Sequence, residues 1–291
     1  MSGVRLEVFV HIVTGQTSLI QNLVRCVEQA GIKVDDIILQ PIASSRSVLT
    51  PEEKDLGVVL IDIGGGTTDV AIWREGALVH SQIIPVGGNH FTNDLAVALK
   101  IPHNVAERIK VNQSAHISVQ GIPGTKPREV QLSVIAKVLG SRAEELLEIV
   151  KEIVQEKGHS EWISGGFVLT GGGALIRDLT QLAEYVLEKP VKIGYPLPFG
   201  SMTSVMQNPK FSTVLGLILE AKALEALKEE EQLQNQLQQK DSSIQKNDVV
   251  KNINPEKATT TDSSEHDVIG KLANSLKSVF KDSSNNSSFF F

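Results

Sequence analysis

The stretch LIDIGGGTTDVAIWREGALVHSQIIPVGG, Leu60 to Gly88, decides the fold of this chain. An apolar run ends in Asp62, three consecutive glycines, two threonines and a second aspartate, and then a second apolar run begins. Because glycine has no Cβ, its backbone N–H groups can approach a ligand closely. Several successive amides that point into one concavity bind anions. A bend of this kind between two strands is typical of a site that holds phosphate groups.

The polar residues around the bend favour a nucleotide tail together with a metal ion. Gly64–Gly66 would present amides, and Thr67 and Thr68 would add hydroxyl donors. Asp62 would repel phosphate, so an aspartate here indicates a magnesium ion held through water. The bend is not a Walker loop, since no Gly-Lys-Ser/Thr follows, and its consecutive glycines do not fit the Rossmann fingerprint. A tight hairpin that needs glycines for its geometry alone is the structural alternative.

A second glycine run, FVLTGGGALIRDL from Phe167 to Leu179, repeats the order of strand and three glycines and then leads into a helix. Here Gly171–Gly173 would let a flat ring or a ribose approach the backbone. Close packing of a strand against a helix is the alternative, and for this run taken alone it is the better explanation. Two such runs in one chain, separated by a helical insertion, strengthen the nucleotide interpretation.

The sequence predicts alternating strands and helices, and hence an α/β architecture with a mixed or parallel sheet. Strands are predicted at Val8–Val13, in the segment that begins at Ile32, and at Val58–Ile63, with a hairpin turn at Glu75–Gly76. Helices are predicted at Leu19–Ala30 (with Ser18 as the N-cap and Gly31 after the end), Phe91–Leu99, Asn104–Val111, Ala143–Glu156 and about Thr213–Glu229.

The composition restricts the class of protein. The net charge of −6 argues against a general nucleic-acid partner. Cys26 is the only cysteine, which excludes an internal disulfide framework and fits a reducing compartment. The first residues lack the features of a signal peptide, and no apolar run is long enough to span a bilayer. Any contact with a membrane is therefore expected to be peripheral.

The last sixty residues change in character. Residues 229–265 are rich in Gln, Lys, Asn, Ser and Thr, and we interpret them as a disordered tether. An amphipathic helix is predicted over residues 266–282, and residues 283–291 form a tail. The predicted membrane-facing side of this helix has Val268, Ile269, Leu272, Leu276, Val279 and Phe280 on one stripe, flanked by Lys271, Lys277 and Lys281. Such a helix lies at an anionic membrane surface, although a helix packed back on the protein is the alternative.

Together these motifs resemble the actin, Hsp70 and sugar kinase superfamily. DIGGGTTD is similar to its second phosphate loop, LTGGGALI to its adenosine loop, and AERIK (Ala106–Lys110) to the helix that frames the adenine. The finer resemblance is to the FtsA family of bacterial cell-division proteins, and it extends from the start of the chain to about Ala226.

The resemblance implies a role for individual residues. Asp62 would lie near the magnesium ion, and Gln40, at the end of a predicted strand, would orient the attacking water unless it is merely an exposed polar residue. The β- and γ-phosphates would be held by Gly64, Gly65, Gly66, Thr67 and Thr68, and the adenosine by Glu107, Lys110, Gly171, Gly172 and Gly173. Arg142 is a candidate for docking the tubulin-like protein FtsZ, with a solvated surface as the alternative.

The resemblance also implies an architecture that is partial. A member of this family opens with a first phosphate loop and a family-specific subdomain, and neither is recognisable here. We therefore expect residues 1–50 to be the remainder of a first actin-like lobe. Residues 51–228 would form the second lobe, with a helical outer subdomain at about 92–164. A split or truncated gene and a misassigned start would each account for this.

The expected function is that of an ATP- and Mg²⁺-binding, actin-like protein that tethers FtsZ filaments to the cytoplasmic membrane at the division septum. It would self-associate into filaments and contact anionic lipids and other division proteins, with at most slow ATP hydrolysis. One alternative is a sugar or acetate kinase-like phosphotransferase, for which no catalytic base is evident. Others are a chaperone-type ATPase, whose substrate domain is missing, and a non-functional remnant.

Overall fold

This computed structural model describes residues 10–112, 116–119, 128–156, 160–200 and 204–229. They fall into two compact units, of which one comprises Ile38–Ala221 and the other the remaining described residues. The unit outside Ile38–Ala221 contains helix α1, Thr17–Gln29. The unit of residues 38–221 contains the sheet and both glycine runs.

The sheet-containing unit alternates strands and helices along the chain. Its strands are β1 (Val58–Ile63), β2 (Thr68–Arg74), β3 (Ala77–Ile84), β4 (His116–Val119), β5 (Arg128–Gln131), β6 (Phe167–Thr170) and β7 (Val191–Ile193). Its helices are α2 (Gln40–Val48), α3 (Pro51–Leu56), α4 (Gly88–Leu99), α5 (His103–Asn112), α6 (Leu132–Glu156) and α7 (Leu179–Leu187). Helix α8 begins here and covers residues 212–229.

Five strands form one mixed sheet in the order β3-β2-β1-β6-β7. The pairs β1–β2 and β2–β3 are antiparallel, whereas β1–β6 and β6–β7 are parallel. Strands β4 and β5 form a separate antiparallel pair. The predicted α/β architecture with a mixed sheet is therefore confirmed.

The two faces of β1 have different surroundings because alternate side chains point to opposite faces. Ile61 and Ile63 are fully buried in the large apolar core, to which α4, α6 and α7 contribute. Leu60 lies on the other face, in a smaller cluster with Val48 of α2. Burial of each such side chain contributes about 1.5–3 kcal/mol. Asp62 points to the same face of the sheet as Leu60, so its carboxylate lies on the side that packs against α2.

The hairpin between β2 and β3 has the predicted turn. Glu75 and Gly76 have φ angles of 52° and 76°. Positive φ at both central residues is the geometry that continues the twist of the two strands. The prediction of strand Val58–Ile63 is confirmed with its bounds, and α6 begins eleven residues before the predicted Ala143.

Two predicted strands are wrong within the described residues. Residues 10–13 and 32–39 form no regular secondary structure. A strand needs a neighbouring strand to pair its backbone groups, and local apolar content does not provide one. The segment continues as helix α2, with Pro41 in its first turn, where proline is favoured.

The ends of α1 show one wrong and one confirmed prediction. Its N-cap is Gln16 and not Ser18. Gly31 follows the C-cap with a φ of 79°, as predicted. Its N–H donates to Glu28 O at 2.9 Å, and the Ile32 N–H donates to Val27 O at 3.3 Å. This pair of hydrogen bonds is the Schellman arrangement that ends helices at glycine.

Candidate functional site

The two glycine runs, which are separated by about a hundred residues, border one cleft. Its volume is about 500 Å³. The cleft is lined by Gly64, Gly65, Gly88, Asn89, Glu107, Lys110, Val111, Gly172, Gly173, Leu175, Ile176, Asn208 and Lys210. The structure therefore brings the predicted phosphate loop, the predicted adenine helix and the predicted adenosine loop together.

The first bend directs its amides and its carbonyls in different directions. Gly64 O accepts from Gly88 N at 2.8 Å, and Gly65 O accepts from Asn89 N at 2.7 Å, so both carbonyls bond to the start of α4. The amide of Gly64 closes the bend on Thr67 O at 2.9 Å. The amides of Gly65, Gly66 and Thr67 donate no hydrogen bond within the described part of the chain. Three successive free amides form a concavity that can bind an anion.

Gly87 is a part of this arrangement that sequence reasoning missed. A Cβ at Gly87 would lie 2.8 Å from both Gly66 C and Thr67 N, where no side chain fits. Gly87 and Gly88 thus let α4 begin directly against the bend. The two glycines of the VGG that ends the opening stretch were the sequence signal for this close approach. The bend that they contact lies about twenty residues earlier in the chain.

The two threonines of the bend differ. The hydroxyl of Thr68 is buried and donates to Val86 O at 2.8 Å, so it joins the end of the hairpin and is not available to a ligand. Thr67 is exposed beside the free amides. Of the two predicted phosphate donors, Thr67 is therefore the one with an accessible hydroxyl.

Asp62 and Asp69 form a buried carboxylate pair directly across β1 and β2. Asp69 Oδ2 is buried without a hydrogen-bond partner. Burial, and then the negative charge of Asp62, raises the pKa of Asp69 to about 6. Two carboxylates with an unpartnered oxygen suit a hard cation such as Mg²⁺, which keeps several waters and phosphate oxygens as ligands. The residues present therefore fit the predicted metal.

Gln40 lies close to this pair but not at the end of a strand. It is the first residue of α2, and its exposed side chain places Nε2 3.4 Å from Asp62 Oδ2. The predicted location at the end of a strand is wrong, and the side chain lies beside Asp62. Its role toward an attacking water stays a prediction.

Glu107 and Lys110 form a network at the wall of the cleft. Lys110 Nζ donates to Gly88 O at 2.9 Å and to Thr92 Oγ1 at 2.8 Å, and lies 2.8 Å from Glu107 Oε2. Thr92 also contacts Glu107 Oε2. Burial acts to raise the pKa of Glu107, but the hydrogen bonds from Lys110 and Thr92 and the lysine charge together lower it. The network fixes α5 to the start of α4 and keeps Glu107 ionised.

The second glycine run packs closely on β1 and also borders the cleft. A Cβ at Gly171, whose φ is 82°, would lie 2.4 Å from Asp62 Oδ1, and one at Gly173 would lie 2.2 Å from Ile63 Cγ2. These two glycines thus permit close packing on β1. Gly172 has open space, with Lys210 Cβ nearest at 4.0 Å, and it lines the cleft. Asn208 and Lys210 also line the cleft and were not predicted.

Arg142 lies away from this cleft, in a groove of about 620 Å³ between α4 and α6. Its Nε and Nη2 atoms donate to the two oxygens of Asp94 at 2.6 and 3.1 Å, and Nη1 contacts Glu145. The hydrogen bond from Arg142 to Asp94, opposed by desolvation, is the largest reason why the pKa of the guanidinium is raised. Arg142 therefore joins two helices as well as bordering a groove.

The predicted membrane-binding residues, which extend from Ile269 to Lys281, lie outside the described residues, as do the predicted tether and tail. Among the helices that the structure describes, none is long and apolar enough to cross a membrane.

Comparisons with known proteins agree with this arrangement. Residues 59–216, more than half of the chain, match the family described as "Cell division protein FtsA". The cell division protein FtsA of Pseudomonas aeruginosa is 42% identical over 229 residues, which cover 75% of this chain and 55% of that protein. FtsA of Neisseria meningitidis is 40% identical over 236 residues, which cover 77% of this chain and 57% of that protein.

Solved structures identify the fold. The crystal structure of MreB5 of Spiroplasma citri bound to ADP superimposes with a TM-score of 0.61 at 24% identity, covering 74% of this chain and 68% of that one. This likeness shows the actin-like fold. The chain spans a little more than half the length of the curated relatives named above. With the family match and the fold in agreement, the chain belongs to the FtsA family of cell-division proteins.

Proposed function

We propose that the cleft between the two glycine runs binds ATP with Mg²⁺. The observation that carries this proposal is the position of three successive free amides, at Gly65, Gly66 and Thr67, in the bend that borders a cavity of about 500 Å³. Gly65 itself lines this cavity together with Lys110 and Gly172. Free amides favour phosphate, and a bare glycine backbone favours close approach of a ribose or a ring. The S. citri relative in fold was solved with ADP and with AMPPNP, which supports a nucleotide as the ligand.

Each wall of the cleft has a role in this proposal. The bend of Gly64–Thr67 holds the β- and γ-phosphates, while Thr68 holds the hairpin together. Glu107 and Lys110 contact the adenosine on one side. Gly171–Gly173 form the other side, with Gly172 nearest the ligand and Lys210 beside Gly172.

Asp62 and Asp69 hold the magnesium ion in this proposal, mainly through water. The ion neutralises charge on the phosphates when it is bound. Gln40, whose amide reaches Asp62, orients a water at the same place. The nucleotide serves as a cofactor of conformation and assembly, with hydrolysis that is slow at most.

At the level of the cell, we propose that the protein tethers FtsZ filaments to the cytoplasmic membrane at the septum. Residues 51–228 act as an actin-like lobe that assembles into filaments, and residues 1–50 belong to the first lobe. The stripe around Leu272 and Leu276 binds anionic lipids through residues 266–282, with residues 229–265 as the tether. Arg142 borders the groove offered to FtsZ, where an incoming carboxylate would compete with Asp94.

Equilibrium binding of ATP to the 291-residue chain tests the proposal. Titration calorimetry in magnesium buffer should show saturable binding at one site. Lys110→Met should weaken it tenfold or more, because the charge-assisted hydrogen bonds of the lysine, worth roughly 1.5–3 kcal/mol, hold the wall of the cleft together. Arg108→Met is the matched control, since the neighbouring Arg108 is exposed and does not line the cleft. No saturable binding, or equal loss in both variants, would contradict the proposal and favour a remnant.

A further inference from the structure

A buried cluster of hydroxyl groups lies where α2 and α8 meet the ends of β1 and β6. We call it the hydroxyl cluster, and it consists of Ser44, Ser47, Thr170, Ser212 and Thr213. Ser44 Oγ lies 3.0 Å from Thr213 Oγ1, Ser47 Oγ donates to Ser212 O at 2.7 Å, and Thr170 Oγ1 lies 2.6 Å from Ser212 Oγ. Burial of a hydroxyl group costs free energy unless the group is hydrogen-bonded. The members of this cluster meet that requirement by bonding to one another and to a backbone carbonyl.

The two helices that carry the cluster approach at backbone distance. A Cβ at Gly216 of α8 would lie 1.7 Å from Ala43 O of α2, so only a glycine permits this crossing. At this crossing the side chains of Ser44, on α2, and Thr213, on α8, both reach Asp62 of β1. The crossing therefore fixes the positions of Ser44 and Thr213 relative to each other.

Both of these hydroxyl groups bond to Asp62, and they bond to the same oxygen. Ser44 Oγ donates to Asp62 Oδ2 at 2.5 Å, and Thr213 Oγ1 donates to it at 3.2 Å. The amide of Gln40 is the third side-chain donor to Oδ2, at 3.4 Å. Within the described residues, Oδ1 receives none of these bonds and faces Gly171. One oxygen is thus held by three side-chain donors, while the other accepts none of their hydrogen bonds.

We propose that Ser44 and Thr213 are positioning residues that hold the Asp62 carboxylate in the orientation that receives the hydrated magnesium ion. The inference rests on the proposed function, in which Asp62 serves the metal. Partners of this kind orient a metal-binding carboxylate, and their loss typically costs about 10–100-fold in metal affinity. Because they lie on two crossing helices, the crossing of α2 and α8 sets the geometry of the metal site.

The test is the metal dependence of ATP binding, expressed as the ratio of Kd in EDTA to Kd in magnesium. Ser44→Ala and Thr213→Val should each lower this ratio roughly tenfold, with little change of Kd in EDTA. Thr213→Ser keeps the hydroxyl and should restore the ratio. Ser47→Ala is the matched control, since Ser47 is a buried serine of the same helix that bonds to Ser44 O and Ser212 O but not to Asp62.

The possible outcomes distinguish a failure of the positioning role from a failure of the proposed function. A metal dependence in the parent chain that stays unchanged in Thr213→Val would overturn the positioning role and leave the proposed function intact. Equal weakening in both buffers would show a merely structural role and would also overturn it. A parent chain whose ATP affinity is the same with and without magnesium would instead overturn the metal assignment itself. If Ser44→Ala does not fold, as melting of the ligand-free protein would show, the Thr213→Val and Thr213→Ser pair decides.

Discussion

Asp62 and Asp69 face each other across the antiparallel strands β1 and β2, and both carboxylates are almost completely buried. They are not equivalent, because Asp62 accepts hydrogen bonds from Ser44 and Thr213, whereas Asp69 Oδ2 has no partner. The charge of Asp69 is therefore a source of instability in the ligand-free protein, and in the proposed function it attracts the magnesium ion.

The first prediction concerns the pH dependence of stability. The folded-state pKa of Asp69, about 6, lies above its ordinary value of 3.8, so ionisation disfavours the folded state. The cost is absent below the lower value, grows between the two and is complete above about 6. Asp69→Asn should therefore stabilise the ligand-free protein at neutral pH by about 2 kcal/mol.

Urea denaturation of both proteins across this pH range measures the effect. The advantage of Asp69→Asn should shrink as the pH falls from about 7 towards 4, since Asp69 is then neutral in the folded parent protein. An advantage that does not change with pH would mean that the carboxylate is not desolvated as the structure shows.

The second prediction separates the two threonines of the bend. Thr68→Val removes the hydrogen bond to Val86 O and leaves a carbonyl unpaired, so it should lower the free energy of unfolding by about 1 kcal/mol. Thr67→Val changes an exposed hydroxyl and should leave stability within about 0.5 kcal/mol, but it should weaken ATP binding. Melting temperature and ATP affinity, measured on the same two variants, check this. A loss of stability in Thr67→Val together with a loss of ATP affinity in Thr68→Val would refute it.

The order of the β1–β2–β3 segment could be predicted from sequence because its determinants are local. Leu60 and Ile61 belong to an apolar strand, and Glu75–Gly76 supply the turn between neighbouring strands. The error at residues 32–39 has a physical cause as well, since that segment is as apolar as a strand but has no strand beside it among the described residues. Pro41 was the local signal for a helix start.

The candidate site was predictable in its glycines but not in its supports. The contact of Gly87 with the first bend, and the hydrogen bond from Thr213 to Asp62 across 151 positions, depend on tertiary structure alone. Nothing in the residues near Ser44 indicates a partner in β1. Lys210 was missed for the same reason, because its neighbours in the chain carry no nucleotide motif.

The third prediction tests the close approach of α4 to the bend. Gly87 has a φ of −158°, which any residue can adopt, so the obstacle to a side chain is space alone. Gly87→Ala should displace the backbone of Gly66 and Thr67, lower stability by about 2 kcal/mol and reduce ATP affinity. Gly140→Ala is the control, since a Cβ there meets nothing within 4 Å and the helix should gain up to about 1 kcal/mol. Equal stability of both variants would contradict the packing.

The fourth prediction concerns the terminal stripe. Replacement of Leu272 and Leu276 by Glu should release the protein from anionic liposomes, because it places charge on the apolar side of the predicted helix. Asn274→Glu with Ser278→Glu adds the same charge on the opposite side of that helix and should reduce binding far less. Co-sedimentation with vesicles that contain anionic lipid measures both. Unchanged binding of the leucine variant would exclude the anchor.

The most direct test of the central claim is a crystal structure of the chain with a non-hydrolysable ATP analogue and Mg²⁺. We expect phosphate oxygens within hydrogen-bonding distance of the amides of Gly65, Gly66 and Thr67, and the adenosine beside Gly172. A nucleotide bound elsewhere, or a bend whose amides bond to the protein itself in the presence of saturating nucleotide, would contradict it.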